Sequence, residues 1–117
     1  MNNSIQKLPE NPPIAPVDSL PKLDPVAALF AIGSARRWPI IQLLADGREL
    51  TISQAAAGAG CTRVNMGKQM LVLLQAGVVE MRAGTDRRQS VYFIPAARRP
   101  APGVLDYGFC RFDLTQV

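Results

Sequence analysis

Residues 50–92 decide the fold, and they read LTISQAAAGAGCTRVNMGKQMLVLLQAGVVEMRAGTDRRQSVY. The first block of this stretch is rich in alanine and lies between Thr51 and Gly60. A threonine can accept hydrogen bonds from the free amides of a helix start, and a glycine readily adopts the left-handed conformation that ends a helix. The block therefore predicts a short helix that begins after Thr51 and stops at the glycines.

A second helix is predicted directly after the turn at Cys61. Thr62 is a suitable N-cap, and Met66, Met70 and Leu73 follow at the i, i+4, i+7 spacing that places side chains on one face of a helix. Gly77 offers a left-handed end. We expect this helix to end near Ala76 and to turn its methionine and leucine face toward a core.

The third block has the composition of a β-hairpin. A strand is expected from Val78 to Arg82, residues 83–90 are too polar to bury, and a second strand is expected over 91–94 before Pro95 stops the ladder. Two helices followed by a hairpin with a basic tip are typical of a winged helix-turn-helix. The predicted class is mainly α with a small β-hairpin (α+β), in which the segment around Leu50 pairs briefly with the wing.

Upstream of this unit, residues 24–44 predict two further helices. Asp24 followed by Pro25 is a strong helix start, and Gly33 is expected to end that first helix. Ser34 can cap the next helix, but Pro39 removes an amide and is expected to tighten or bend it before Ile40. The apolar residues that follow make this helix a core element.

The ends of the chain differ in composition from its middle. Residues 1–23 contain five prolines and no periodic apolar face, which predicts an extended or disordered arm. Residues 24–95 form the winged helix-turn-helix domain. Residues 96–117 are predicted to be a connection followed by one extra C-terminal strand, because apolar and polar residues alternate from Val104 to Leu114.

The same sequence resembles the ArsR-like winged-helix transcriptional regulators. The resemblance runs over Leu50 to Val79. The residues that carry it are Leu50-Thr51, Gly60, Thr62, Lys68-Gln69-Met70 and the ending Val72-Leu73-Leu74-Gln75-Ala76-Gly77-Val78-Val79. Residues 29–44 look like the family's two opening helices, so the resemblance covers about two thirds of the chain. It implies a sequence-specific double-stranded DNA-binding regulator that acts as a homodimeric repressor. The resemblance does not indicate whether a small-molecule effector binds the protein. The C-terminal tail departs from the family, whose members commonly end in a dimerising helix.

We expect a dimer that buries the apolar residues of the helix after Asp24 together with the C-terminal strand. An exposed apolar edge strand would otherwise form β-pairs with other chains and cause aggregation. The alternative is a monomer in which the tail covers the domain's own sheet. The candidate interface residues are Val26, Leu29, Phe30, Leu105, Tyr107 and Phe109.

Charge is placed unevenly along the chain. Between Cys61 and Arg99 there are seven basic and two acidic residues, a net charge of +5, whereas the rest of the chain has a net charge of −1. Phosphate neutralisation by such a basic region supplies most of the nonspecific affinity for DNA. The alternative is an ordinary solvated surface.

The candidate DNA contacts lie in the second helix and in the wing. In a helix-turn-helix the early residues of the second helix lie nearest the bases. An arginine there can hydrogen-bond guanine, an asparagine can hydrogen-bond adenine, and a valine can contact the methyl group of thymine. The helix candidates are Thr62, Arg63, Val64, Asn65, Gly67 and Lys68. The wing candidates are Arg82, Thr85, Arg87, Arg88 and Gln89.

Other functions fit the residues less well. The chain has no histidine, no paired carboxylates in one motif and no glycine-rich phosphate loop, so we expect no enzyme activity, no cofactor and no bound zinc. Neither a membrane span nor a signal peptide is expected, which favours a cytoplasmic protein. Two alternatives remain: Leu71 and Leu74 could form an apolar face of a protein-interaction module, and Cys61 could be a thiol sensor beside the Thr62 cap.

Overall fold

Four helices and two antiparallel hairpins make up the part of the chain that the computed structural model describes, residues 20–116. The helices are α1 (Pro25–Ile32), α2 (Trp38–Leu44), α3 (Ile52–Ala59) and α4 (Arg63–Gln75). The strands are β1 (Glu80–Ala83), β2 (Ser90–Phe93), β3 (Val104–Asp106) and β4 (Arg111–Asp113), with short 3-10 helices at Ala96–Arg98 and Leu114–Gln116. The α+β class is confirmed. The predicted arm lies largely outside the described residues.

The predicted caps of α3 and α4 are confirmed. The Thr51 hydroxyl accepts the Gln54 amide at 3.2 Å while the Gln54 side chain accepts the Thr51 amide at 3.0 Å, which is a reciprocal capping box. Helix α3 ends at Gly60 with a φ of 71°. The Thr62 hydroxyl accepts the Asn65 amide at 3.1 Å and so starts α4. These local bonds explain why both helix starts were readable from the sequence.

Helices α1 and α2 are separated by a turn over residues 34–37. Helix α1 ends at Gly33, as predicted, although the Asp24 side chain makes no capping hydrogen bond. The Ser34 carbonyl accepts the amides of Arg37 and Trp38, and α2 begins only at Trp38. Pro39 therefore lies in the first turn of α2, where its missing amide is not needed, rather than bending an established helix.

The first hairpin joins β1 and β2, with Glu80 opposite Phe93 and Ala83 opposite Ser90. Leu50 pairs with Tyr92 through an isolated bridge, as the sequence predicted for this segment. The bridge attaches the segment before α3 to the outer side of β2, and α3 also packs against β2. The β1–β2 hairpin is thereby held to the helical part of the molecule.

The prediction of one C-terminal strand was wrong. The chain forms a second hairpin, in which β3 pairs with β4 and Leu105 lies opposite Phe112. Gly108 has a φ of 90°, and its amide donates to the Asp106 carboxylate at 2.8 Å. A positive φ suits glycine and reverses the chain, so the apolar alternation that suggested one strand spans a turn and both of its flanks.

The core is a single cluster between the helices and the starts of the hairpins. The predicted stripe of α4 is confirmed, with Met66, Met70 and Leu73 all at most 1% exposed. Helix α4 packs against α3 and α1, and α2 packs against α3. The remaining buried apolar residues are Ala28, Ala31, Ile32, Ile40, Ile41, Leu44, Ala55, Ala56, Val78, Val79, Ile94, Leu105 and Tyr107.

Two of the proposed dimer residues prove to be part of this core. Leu105 is 0% exposed and Tyr107 is 2% exposed, and the Tyr107 hydroxyl donates to the Val78 carbonyl oxygen at 3.0 Å. Their assignment to a subunit interface was wrong, because the second hairpin folds back onto its own domain and covers them. Phe109, at the turn of that hairpin, stays 36% exposed.

Helix α1 uses its small residues for packing and leaves its large ones outside. Ala28 and Ala31 are fully buried, whereas Val26 is 76% and Phe30 70% exposed. The alanines allow α1 to lie close to α4, and the larger apolar side chains project from the domain. None of the helices formed by residues 20–116 is both long and apolar enough to cross a bilayer.

Candidate nucleic-acid interface

The outer face of α4 is exposed over most of its length. The buried face of Met66, Met70 and Leu73 fixes the rotation of the helix about its axis. Val64 is consequently 72% and Leu71 51% exposed. Arg63 and Lys68 also point into solvent, as the sequence predicted.

Gly67 lies on α4 beside an open space. A Cβ atom built at this position meets no other heavy atom within 4 Å. The glycine is thus not needed for packing within the described residues. The close approach of another molecule to the helix backbone, which the sequence suggested for this position, stays a prediction.

Asn65 is half-buried and is linked to the rest of the fold through a chain of hydrogen bonds. The Gln69 amide nitrogen donates to the Asn65 side-chain oxygen at 3.4 Å, and Arg37 donates to the Gln69 side-chain oxygen at 2.9 Å. Arg37 also donates to the carbonyl oxygens of Ala31 at 2.6 Å and Phe30 at 3.2 Å. The end of α1 therefore helps to orient a side chain of α4.

Sequence reasoning missed Arg37 and Gln69. The i, i+4 spacing of Asn65 and Gln69 was a readable signal, because side chains with that spacing lie next to each other on a helix. Nothing in the local sequence connects Arg37 to them, since it is 32 residues away from Gln69.

The three arginines of the β1–β2 hairpin differ in their partners. Arg82 forms an ion pair with Glu49, donates to the Ala83 carbonyl oxygen and lies 6.0 Å from the centroid of the Phe93 ring. Arg88 pairs with Asp86 at 3.3 Å. Within residues 20–116, Arg87 forms no ion pair. Arg87 is therefore the hairpin cation whose charge is least compensated.

The pairing with Arg88 also affects Asp86. Hydrogen bonds from the Arg88 side chain and backbone lower the pKa of the Asp86 carboxyl below its usual value. Asp86 consequently remains negative at neutral pH and neutralises part of the basic tip. The pair is exposed, so solvent weakens it and an external anion can compete for Arg88.

A polar cavity of about 380 Å³ lies between the hairpin and the start of α3. Three of the predicted wing residues, Arg82, Thr85 and Gln89, line it. Thr51 and Gln54 of the capping box lie on its other side. The structure thus brings these three hairpin candidates, but not Arg87 or Arg88, together with the first turn of α3.

The helix candidates and the hairpin candidates remain two separate groups. No side-chain hydrogen bond or ion pair among residues 20–116 joins Arg63, Val64 or Lys68 to the hairpin. Thr62 is engaged in capping α4, so its contribution to any contact is through the position of that helix start. The cations without an ion-pair partner among the described residues in these groups are Arg63, Lys68 and Arg87.

The cysteines lie in different parts of the fold. Cys61 is a half-buried free thiol at the turn between α3 and α4, and Cys110 is a half-buried free thiol in the second hairpin. Among residues 20–116, no three histidine, cysteine, aspartate or glutamate side chains come close enough to hold a metal ion.

Comparison with known proteins identified no relative: no family model, no curated protein and no solved structure matches this chain.

Proposed function

We propose that this chain is a winged helix-turn-helix protein of the ArsR-like type that binds double-stranded DNA and regulates transcription. The observation that carries the proposal is the outer face of α4. Arg63 and Lys68 are exposed there without a carboxylate partner among the described residues, directly after a capped helix start. Exposed uncompensated cations on a helix that follows a short helix and a turn suit a phosphate-lined groove.

In this proposal the first half of α4 enters the major groove. Arg63 donates to guanine, Val64 touches a thymine methyl group and Asn65 reads adenine. The Asn65 oxygen already accepts from Gln69, but a carboxamide oxygen has a second lone pair and its nitrogen is still a donor. Lys68 contacts a phosphate.

The β1–β2 hairpin acts as the wing. Arg87 makes the main contact with phosphate or with the minor groove, because its charge is free of a carboxylate partner in residues 20–116. Arg88 adds a second contact when its ion pair with Asp86 breaks and its guanidinium binds a DNA phosphate instead. Arg82 stays bound to Glu49 and supports the hairpin rather than the DNA.

We also propose that the protein is a cytoplasmic repressor that works as a homodimer. Val26, Leu29 and Phe30 project from α1 and are 76%, 50% and 70% exposed, which offers apolar side chains to a second copy, although the Arg37 guanidinium lies 5.4 Å from the centroid of the Phe30 ring. Two copies related by a twofold axis would read a pseudo-palindrome with half-sites about 34 Å apart or a multiple of that distance.

The test is selection and sequencing of random duplex DNA bound by the full chain, repeated at two salt concentrations. We expect a palindrome to be enriched and its affinity to fall steeply as salt rises, because cations released from phosphate drive binding. Absence of any enriched sequence would refute sequence-specific regulation.

Three single variants make the test specific to the proposed surface. Arg63→Ala should relax base preference at one position, and Lys68→Ala should weaken binding to all sequences and reduce the salt slope by about 1. Arg36→Ala removes an exposed arginine from the turn before α2 and is the charge-matched control. Equal losses in all three variants would mean that only total charge matters.

A protein-interaction module is the second candidate function. It is favoured by Leu71, which is 51% exposed beside the exposed Val64, whereas Leu74 is half-buried against the core. In this case Leu71→Asp would abolish partner binding without unfolding the domain, and charge reversal at Arg87 and Arg88 would leave that binding intact.

A further inference from the structure

Arg98 is a buried cation. It ends the 3-10 helix Ala96–Arg98, and only 5% of its surface is exposed. One guanidinium nitrogen donates to the Pro21 carbonyl oxygen at 3.0 Å, and the guanidinium carbon lies 5.5 Å from the centroid of the Tyr107 ring. Arg98 forms no ion pair with a carboxylate of residues 20–116.

Such burial is unusual for an arginine. The guanidinium group stays charged in proteins and carries five N–H donors, and buried charges are normally paired with an opposite charge. Here one donor has an acceptor within the described residues, and the face of an aromatic ring offers only partial compensation. Within residues 20–116, the charge of Arg98 has no carboxylate partner and most of its side-chain donors have no acceptor.

Arg98 lines a cavity of about 450 Å³ between the segment before α1 and the second hairpin. This volume is within the range of small-molecule sites, which is about 300–1,000 Å³. The walls are mainly apolar. They are formed by Leu20, Pro21, Lys22, Leu23, Pro25, Arg98, Asp106, Tyr107, Gly108 and Phe109.

The other charges around the cavity do not cancel Arg98. The Asp106 carboxylate accepts the Gly108 amide at 2.8 Å and lies 3.8 Å from the Arg111 guanidinium, so its own charge is partly compensated. Lys22 is exposed at the edge and adds a second positive charge. The lining thus holds two cations, Lys22 and Arg98, and one carboxylate, Asp106, that is already near Arg111.

Tyr107 forms a rigid wall of the same cavity. Its hydroxyl donates to the Val78 carbonyl oxygen at 3.0 Å, which fixes the ring under the Arg98 guanidinium. Burial raises the pKa of Tyr107 well above its ordinary value, although the nearby charge of Arg98 opposes this. The ring thus remains neutral and leaves Arg98 as the buried charge.

We propose that this cavity binds a small organic carboxylate with an apolar body, whose carboxylate group pairs with Arg98. The planar fork of an arginine matches the two oxygens of a carboxylate. Arg98 is the buried cation of the lining and Lys22 is exposed at its edge, so the enclosed part of the cavity suits a monoanion better than a phosphate dianion. The apolar body of the ligand would lie against Leu20, Leu23 and Phe109. This site is distinct from α4 and from the β1–β2 hairpin, and the proposal does not depend on DNA binding.

The experiment is calorimetric titration of the full chain with octanoate and phenylacetate, and with octanamide and phenylacetamide as neutral controls of nearly equal shape. We expect at least one carboxylate to bind at least tenfold more tightly than its amide. Lack of binding by both acids, or equal binding of acid and amide, would overturn the proposal.

Variants then assign the binding to Arg98. Arg98→Met keeps an apolar chain of similar length and should weaken carboxylate binding at least tenfold, with folding checked by circular dichroism. Arg36→Met changes the net charge equally at an exposed site and should have no effect. Unchanged carboxylate binding by a folded Arg98→Met protein would refute the assignment.

A second measurement remains informative if the Arg98 variant does not fold. In the ¹⁵N-labelled wild-type chain, octanoate or phenylacetate should shift the amide signals of Leu23, Gly108 and Phe109. The amides of Arg63 and Lys68 on α4 should stay unchanged. Shifts confined to α4 or to the β1–β2 hairpin would place the ligand elsewhere and contradict the proposed site.

Discussion

Replacing Gly67 by alanine should stabilise the protein while impairing its proposed activity. Gly67 lies in the interior of the 13-residue helix α4, its φ is not positive, and a Cβ atom would meet nothing within 4 Å. Alanine restricts the unfolded chain more than glycine does and favours the helix. In a helix interior this difference is about 0.5–1 kcal/mol.

No packing penalty offsets this gain at Gly67. For a chain of 117 residues, the change should raise the melting temperature by roughly 2–6 °C. The measurement is thermal unfolding followed by circular dichroism, together with urea unfolding to obtain the free energy of unfolding.

Gly58 in α3 provides the matched control. It is also a glycine inside a helix, but its Cβ would lie 3.1 and 3.2 Å from the two terminal carbons of Leu43. Gly58→Ala therefore gains less from helix propensity, because Gly58 lies in the last turn of α3, and it loses part of that gain to crowding. A destabilised Gly67→Ala protein, or a larger gain from Gly58→Ala, would refute this account of the two positions.

DNA binding by the same Gly67→Ala variant tests the proposed contact between α4 and the major groove. If the α4 backbone approaches DNA closely, the added methyl group should weaken specific binding although the protein is more stable. Unchanged affinity would show that the groove contact lies nearer to Arg63, at the beginning of α4.

Three further changes should have separable effects. Leu73→Ala should lower the free energy of unfolding by about 2–5 kcal/mol in urea titrations, because Leu73 is 0% exposed; a loss below 1 kcal/mol would contradict its central place. Burial holds the pKa of Tyr107 above the ordinary 10.0 that the unfolded chain retains, so the unfolded state loses this proton first. The contribution of Tyr107 to stability should therefore be constant below about pH 10 and fall above it; an equal alkaline fall in Tyr107→Phe would exclude this cause. Phe30→Ser should shift a dimer toward monomer in sedimentation velocity with a loss of stability no larger than the exposed contact of its ring with Arg37, about 0.5–1 kcal/mol; an unchanged dimer would move the interface away from α1.

Much of the local structure could be predicted from the sequence because the signals are short-range. The Thr51 and Thr62 caps act on amides three residues later, and the ends at Gly60 and Gly77 depend on one residue's conformation. The spacing of the α4 stripe identified its buried face directly. Hairpin β1–β2 was recognisable from its β-branched runs, its polar turn and Pro95.

The candidate site was predicted less completely. Exposure of Arg63, Val64 and Lys68 followed from the opposite buried stripe, so the outer face of α4 was readable. The ion pair between Arg82 and Glu49 could not be predicted from the sequence, because those residues are 33 positions apart. Likewise, the chain from Arg37 through Gln69 to Asn65 joins elements that no local pattern connects.

The sequence by itself determined where helices start and stop, which face of α4 is buried and where the basic residues concentrate, because each of these depends on neighbours within a few residues. Only the tertiary structure decided that residues 104–113 fold back as a hairpin, that Leu105 and Tyr107 enter the core, and that Arg98 is buried beside a cavity. The physical reason is that burial and charge compensation depend on which distant segments pack together. Periodicity alone could not distinguish an apolar residue covered by its own domain from one available to a partner.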